Sequence, residues 1–471
     1  MTPYTWHTHQ VLRATGGSVV AGKADLVFTG IGIDSRGMDP QHLFVAITGE
    51  RHDGHRYVAD VIDQGVKGVV VAKGKAADLP MDKMVSRGVV GVAVTNTTEA
   101  LGALARFNRN RGDLKVVAIT GSNGKTSTRM LTEGVIAGTY ETLSTSGNLN
   151  NHIGLPLTLF QLTPDHQAAV LELGMNHAGE IDYLGGICRP DVGIITNVAP
   201  AHLEGLGSVD NVLSAKAELL GTLRAGGTAI LNADDARVTS LADKFDCPVV
   251  FFGVGGQAHV RADNIRPTES GLAFDLVTPS GDIAVMLATP ARVMVSNALA
   301  AAAAGEVAGV PLNSIKAGLE AFRPQSGRMD IRQLAQDICV IDDTYNANPA
   351  SIKAAVDTLA RMRRDRRTIA VLGDMLELGA QSADLHREIG RAVGDAGIDF
   401  LYITGNFATF VADGAMDQQM PSTHIAVDTR DAIAAQLSQQ LRPGDLILVK
   451  GSRGMAMEKV VEAIIQWTDN Q

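Results

Sequence analysis

The stretch VVAITGSNGKTST, Val116 to Thr128, joins a short apolar run to two glycines and the tripeptide Gly124-Lys125-Thr126. A lysine and a hydroxyl directly after a glycine turn suit phosphate chemistry. Backbone N–H groups at a helix N-terminus bind anionic oxygen, Lys125 can reach the outer phosphates, and the Thr126 hydroxyl can join the shell of a Mg²⁺. The usual Walker spacing, G-x-x-x-x-G-K-[ST], asks for a glycine where Ile119 stands. The loop is therefore a short form, yet strand, GKT and helix still coincide.

Further chemistry gathers at other strand ends. ELGMNHAGEI puts Glu172 at the end of an apolar run, where a carboxylate suits Mg²⁺, a hard cation that prefers oxygen. ITNVAPAHLEGLG delivers His202 and Glu204 from a third run. Parallel strands present their carboxyl ends on one edge, so these groups are expected to meet. Lys216, in the helical run VLSAKAELLGTL, reads by itself as a surface lysine. IDDTYNANPAS crowds Asp342, Asp343, Tyr345, Asn346 and Asn348 onto another strand end, although local Asn and Asp turns explain part of such a cluster. Lys450, Ser452 and Arg453, in LVKGSRGMAMEKVV, sit at a strand-to-helix junction that fits anion binding. Arg328, in SGRMDI, stands where it could reach across a cleft, and the polar loops DSRGM (34–38) and GERHDGH (49–55) suit a polar ligand.

The elements that must position these residues fall into three blocks. The chain has 471 residues, enough for about three domains at ~150 residues each. In the first block, short β-rich pieces flank a helical stretch at 57–64 and end near Val94; NTTEALGALARFNRNRGD then reads as a connecting helix, with Leu101, Leu104 and Phe107 at helical spacing. The second alternates VVAIT, AAVLELG, VGIITNV, TAILNAD and PVVFFG with helices, the pattern of a parallel doubly wound sheet. A β appendage at 258–287 and an alanine-rich helix at 296–307 close it. The third block begins near Gln325 and repeats the logic with ICVIDDTYN, TIAVLGDM, FLYITGN and DLILVKGS.

Composition narrows the classes. A net charge of −10, from 41 basic and 51 acidic residues, gives no general attraction for nucleic acid or anionic lipid. The N-terminus lacks a basic region followed by an apolar one, and the most apolar run, 293–305, falls short of the ~20 residues a membrane span needs; a cytoplasmic protein without membrane insertion is expected. Cys188, Cys247 and Cys339 are odd in number and far apart, which supports neither a disulfide framework nor a zinc site.

Taken in order, FVAITGERHDGHRYV, TGSNGKTS, STSGNLNNHIGLPLTL, ELGMNHAGEI, NVAPAHLEGLGSVDNVLSAKAEL, LNADD, IDDTYNANPAS, VLGDMLELG and LVKGSRGMAME resemble the Mur ligases, ATP-dependent amide ligases of bacterial cell-wall synthesis. The short TG-x-N-GK[TS] loop is that family's form. The resemblance implies an α/β protein of three domains: 1–96 for a UDP-linked substrate, 97–324 with a central P-loop-type parallel sheet for ATP, and a Rossmann-like 325–471 that closes the ATP site. ELGMN and YNANP favour the member that joins D-alanyl-D-alanine to UDP-N-acetylmuramoyl-tripeptide. By matching motif, Gly121, Ser122, Asn123, Gly124, Lys125, Thr126 and Ser127 would bind the ATP phosphates, Asn297 adenine, and Arg328 and Asp343 the nucleotide from across the cleft. Thr126 and Glu172 would hold one Mg²⁺, and His202 with a carbamylated Lys216 a second. Ser35 would lie at the uridine nucleotide, Asn148 and Asn151 near the sugar-peptide, and Asn346 and Asn348 near the dipeptide. Val293 stands where family members often carry a histidine before the adenine asparagine.

Rival readings differ in what they require. A ligase adding the third amino acid would carry a D-N-P-R motif, which is absent here. Folylpolyglutamate synthase shares the loop but needs no uridine-nucleotide block. A nucleotide-hydrolysing switch of the GTPase kind would carry N-K-x-D, which this chain lacks. Three domains around one ATP also imply closure, with Arg328 and Asp343 approaching Lys125 when substrates bind. A monomer is the expected state.

Overall fold

A computed structural model describes residues 2–22, 25–49 and 52–469. Glu50 and Arg51, within the polar loop 49–55, lie outside the described residues. Three main sheets follow one another along the chain. The first has five strands in the order Ser18–Ala21, Val90–Val94, Gly68–Ala72, His42–Val45, Gly30–Gly32 and is parallel except at Ser18–Ala21. Helix Thr97–Arg109 leads out of it, its N-terminus capped by Asn96, whose side chain accepts from Thr98 N and Glu99 N.

The central sheet has nine strands, and its parallel part runs Thr142–Ser144, Ala168–Glu172, Lys115–Thr120, Val192–Ile195, Thr228–Asn232, Val249–Gly253, Val260–Thr268. Gly271–Thr278 and Gly281–Leu287 complete it as antiparallel strands, the appendage expected from their alternation. Strands Lys115–Thr120, Ala168–Glu172 and Val192–Ile195 are buried throughout except at Lys115, as sheets covered on both faces require. Helix Val293–Ala308 is buried almost all round, with residues 298–304, Leu299 among six alanines, fully enclosed. A helix apolar on every side belongs in a core, and this one packs on helix Lys125–Ala137 behind the phosphate loop.

The third sheet has six strands in the order Asp330–Gln333, Cys339–Asp343, Leu446–Lys450, Thr368–Leu372, Phe400–Ile403, Ile425–Val427, all parallel but the first. Asp330–Gln333 and Ile425–Val427 were not evident in the sequence; both are short edge strands without a buried apolar run. Register then aligns the site. Thr120 lies beside Ile195 and Ile119 beside Glu172, so three loops leave the central sheet from one edge.

Candidate active site

A cavity of about 1190 Å³ opens at that edge, between the central and third sheets. Its floor is the phosphate loop. Gly121 has φ +153°, and a Cβ there would lie 1.8 Å from Thr196 Oγ1; Gly124 has φ +79°, and a Cβ there would lie 2.4 Å from Asn297 Oδ1. Both positions thus exclude any side chain. The loop is strapped to the neighbouring strand exit, since Ser122 N donates to Asn197 O at 3.0 Å and Asn123 N to Asn197 Oδ1 at 2.9 Å. Helix Lys125–Ala137 starts at Gly124 with no side-chain cap. Its first-turn N–H groups have no intrahelical acceptor, which leaves the cavity floor suited to an anion.

Lys125 Nζ donates to Gly121 O at 2.8 Å, and burial pushes its pKa down, partly offset by Glu172. The Thr126 hydroxyl donates to Glu172 Oε2 at 2.8 Å while Asn150 Nδ2 donates to Oε1 at 2.7 Å. Asn150 has nothing in GNLNNHIG to set it apart from the asparagines beside it; only folding brings it to the carboxylate. A hydroxyl and a carboxylate are the hard oxygen donors that Mg²⁺ takes together with substrate phosphates, so the residues fit that ion. No group of three or more His, Cys, Asp or Glu able to hold a metal occurs among the described residues.

Lys216 corrects the surface reading. It is 1% exposed, its side-chain nitrogen has no hydrogen-bond partner among the described residues, and its pKa is driven well below the ordinary lysine value by burial and by Lys125. Helical spacing carries the signal, because Val212, Leu213, Leu219 and Leu220 stand three and four residues to either side of Lys216 and put it on the apolar face of its helix. A lowered pKa favours the neutral amine, the form that adds CO₂, so the residue fits the implied carbamate, which would supply carboxylate oxygens. His202 lines the cavity with φ +55° and is paired through Nδ1 with Glu377 Oε2 at 2.7 Å.

The third domain forms the opposite wall. Arg328 lies 3.8 Å over the Tyr345 ring, in the same cavity as Lys125. Asp343 is engaged within its own domain, its carboxylate accepting from Lys450 Nζ and from Met329 N. Lys450 also donates to Asn346 O at 2.9 Å and is fully buried, so its charge is spent on this internal network. Asn348 caps helix Pro349–Met362 through Ser351 N and exchanges two hydrogen bonds with Asn123, at 3.2 and 2.7 Å. The third domain thus rests on the phosphate loop. Asn297 is buried beside Gly124, next to an apolar wall of Val293 and Met294.

Other expected residues lie apart. Asn151 and Asn346 line the cavity, whereas Asn148 and Ser35 do not. Ser35 belongs to the first domain, where its carbonyl accepts from Gln64 Nε2 at 2.9 Å.

Three family descriptions match in succession: "Mur ligase family, catalytic domain" over residues 27–109, "Mur ligase middle domain" over 119–305 and "Mur ligase, glutamate ligase domain" over 327–453. The UDP-N-acetylmuramoyl-tripeptide–D-alanyl-D-alanine ligase of Escherichia coli (strain K12) is 39% identical over 94% of each chain. The enzyme of the same name from Bacillus subtilis (strain 168) is 31% identical over 93% of this chain and 94% of its own. A crystal structure of MurF from Acinetobacter baumannii has a TM-score of 0.89 at 32% identity, covering 99% of this chain and 100% of that one.

Proposed function

The chain belongs to the Mur ligase family, and from that premise we propose how its residues divide the work of an ADP-forming ligase that joins D-alanyl-D-alanine to UDP-N-acetylmuramoyl-tripeptide. A carboxylate and an amine in neutral water form ions rather than an amide, so the carboxylate must first be activated. One tripeptide carboxylate oxygen attacks the γ-phosphorus of ATP, the bond to the β-phosphate breaks, and ADP leaves. The dipeptide's free amine then attacks the acyl carbon, phosphate departs, and the nitrogen loses a proton.

Transfer of a phosphoryl group to an anion requires charge neutralisation and alignment above all. Gly121 to Ser127 cradle the phosphates, with Lys125 on the outer ones and Arg328 facing them from the third domain. Thr126 and Glu172 would hold one Mg²⁺ and His202 with carbamylated Lys216 a second, and such ions would supply charge neutralisation to the phosphates. Asn297 borders the adenine with Val293 and Met294, and Asp343 supports the nucleotide side through Lys450. Residues 1–96, with Ser35, receive the uridine nucleotide; 97–324, with Asn148 and Asn151, the sugar-peptide and ATP; 325–471, with Asn346 and Asn348, the dipeptide. Because the Asn348 amide is already committed to Asn123 and Ser351, Asn346 is the better placed dipeptide reader.

No helix among the described residues is long and apolar enough to cross a membrane, and the net charge is −10. We place the enzyme in the cytoplasm, acting as a monomer without nucleic acid. The observation that carries the reading is the meeting of Lys125, Glu172, His202 and Arg328 in one cavity between two domains. Phosphate release with ATP and Mg²⁺ tests it, adding the UDP-linked tripeptide and the dipeptide singly and together. Release that needs both is expected. Release independent of both, or supported by L-lysine or diaminopimelate in place of the dipeptide, would overturn it.

A further inference from the structure

Glu377 lies in the DMLELG loop that follows strand Thr368–Leu372, and it reaches out of the third domain to the loop after strand Val192–Ile195. Two contacts fix it there. Its Oε2 is 2.7 Å from His202 Nδ1, and its backbone carbonyl accepts the Glu204 N–H at 3.1 Å. Both partners hold left-handed backbone conformations, φ +55° at His202 and +63° at Glu377, which non-glycine residues adopt only when their surroundings impose them.

The Glu377 loop is anchored from within its own domain. Met375 N donates to His386 Nε2 at 2.9 Å, so the proton of that ring sits on Nδ1, which donates to Ser382 O at 2.6 Å. Leu376 N donates to Ser452 Oγ at 2.9 Å. Glu377 is therefore presented by a loop whose backbone is tied down at the two residues that precede it.

A neutral imidazole has one donor and one acceptor nitrogen, and the hydrogen bond at one decides the role of the other. With Nδ1–H donating to Glu377, the His202 lone pair sits on Nε2, which has no partner among the described residues. Carboxylate–histidine pairs of this kind orient metal-binding imidazoles and raise their basicity. Here the carboxylate and the histidine come from different domains, 175 residues apart.

We propose that Glu377 is a positioning residue for the ligation: it sets the His202 tautomer and ring orientation for a divalent cation, and it does so only when the third domain is docked. Cation binding at His202 is thereby linked to domain closure, and closure to cation binding. This rests on the reading of His202 as a cation ligand.

Mn²⁺ titration of the full chain with a non-hydrolysable ATP analogue, followed by the resonance of the free ion, separates the two. Glu377→Ala is expected to weaken the His202-dependent Mn²⁺ by ~10-fold or more, while the Mn²⁺ that depends on Glu172 is unchanged. Glu377→Gln, which still offers an acceptor oxygen, should recover much of the loss. Imidazole nitrogen resonances should report the Nδ1–H tautomer at His202 in the native chain and a mixture in Glu377→Ala. An unchanged tautomer and Mn²⁺ titration in Glu377→Ala would overturn the inference; so would equal weakening at both cation positions, which marks a docking contact alone. If His202→Ala itself left Mn²⁺ binding unaltered, the reading of His202 as a ligand would fall first and the inference with it.

Discussion

Replacing Asn348 with serine should loosen the third domain from the phosphate loop while leaving both folded. Asn348 has two tasks: its side chain caps helix Pro349–Met362 by accepting from Ser351 N, and its carboxamide exchanges hydrogen bonds of 3.2 and 2.7 Å with Asn123. Serine caps a helix about as well as asparagine but is too short to reach Asn123, so the substitution isolates the second task. Each neutral side-chain hydrogen bond contributes about 0.5–1.5 kcal/mol net. Because Asn123 is only half-buried, the pair is taken near the lower part of that range, about 1–2 kcal/mol in total, or roughly 5–30-fold in the ratio of closed to open molecules.

Dyes on exposed positions of the central and third domains would report that ratio by energy transfer, and affinity for an ATP analogue would follow it as the competent fraction falls. Asn123→Ala should produce a similar shift, because the ties of Asn123 to Thr196 and Asn197 run through its backbone. The double variant should be no worse than either single one. Two single effects that multiply in the double variant would refute a direct coupling between these side chains.

Lys216 offers a test on stability. Its folded-state pKa is lowered, so between that value and the ordinary lysine value the unfolded chain holds a proton that the folded chain does not; stability should rise with pH across this window. In CO₂-free buffer, Lys216→Met should raise the melting temperature at neutral pH and flatten the rise; an unchanged slope would contradict a neutral buried amine. With isotopically labelled bicarbonate, a carbamate carbon resonance is expected in the native chain and should vanish in Lys216→Met. Gly124→Ala combines φ +79° with a Cβ 2.4 Å from Asn297 Oδ1. Left-handed strain alone costs a non-glycine residue about 1–3 kcal/mol, so calorimetry should find affinity for an ATP analogue at least ~5-fold weaker; native affinity would show that the loop does not need that conformation.

The parts legible in the sequence were those encoded locally. A strand, a glycine turn and GKT lie within a dozen or so residues, and parallel strands place Glu172 and His202 on the same edge without further information. The contacts that sequence does not reveal depend on distance along the chain. Asn123 and Asn348 are 225 positions apart, and each alone reads as an ordinary turn or cap asparagine. Glu377 sits in a quoted motif, yet nothing in DMLELG says that one glutamate leaves its domain to meet a histidine. Lys216 reads as a surface residue only when its charge is weighed by itself; Val212, Leu213, Leu219 and Leu220 at helical spacing around it mark its face as the one that meets the core.

The chemistry itself is most directly read by isotope transfer. A UDP-linked tripeptide with heavy oxygen in its terminal carboxylate, ligated to the dipeptide with ATP, should yield phosphate carrying one heavy oxygen, because the oxygen that attacks the γ-phosphorus leaves with it when the amine displaces phosphate. Phosphate free of the label, with all the retained heavy oxygen in the peptide or in water, would contradict an acyl phosphate and with it the roles assigned to Lys125, Glu172 and Arg328.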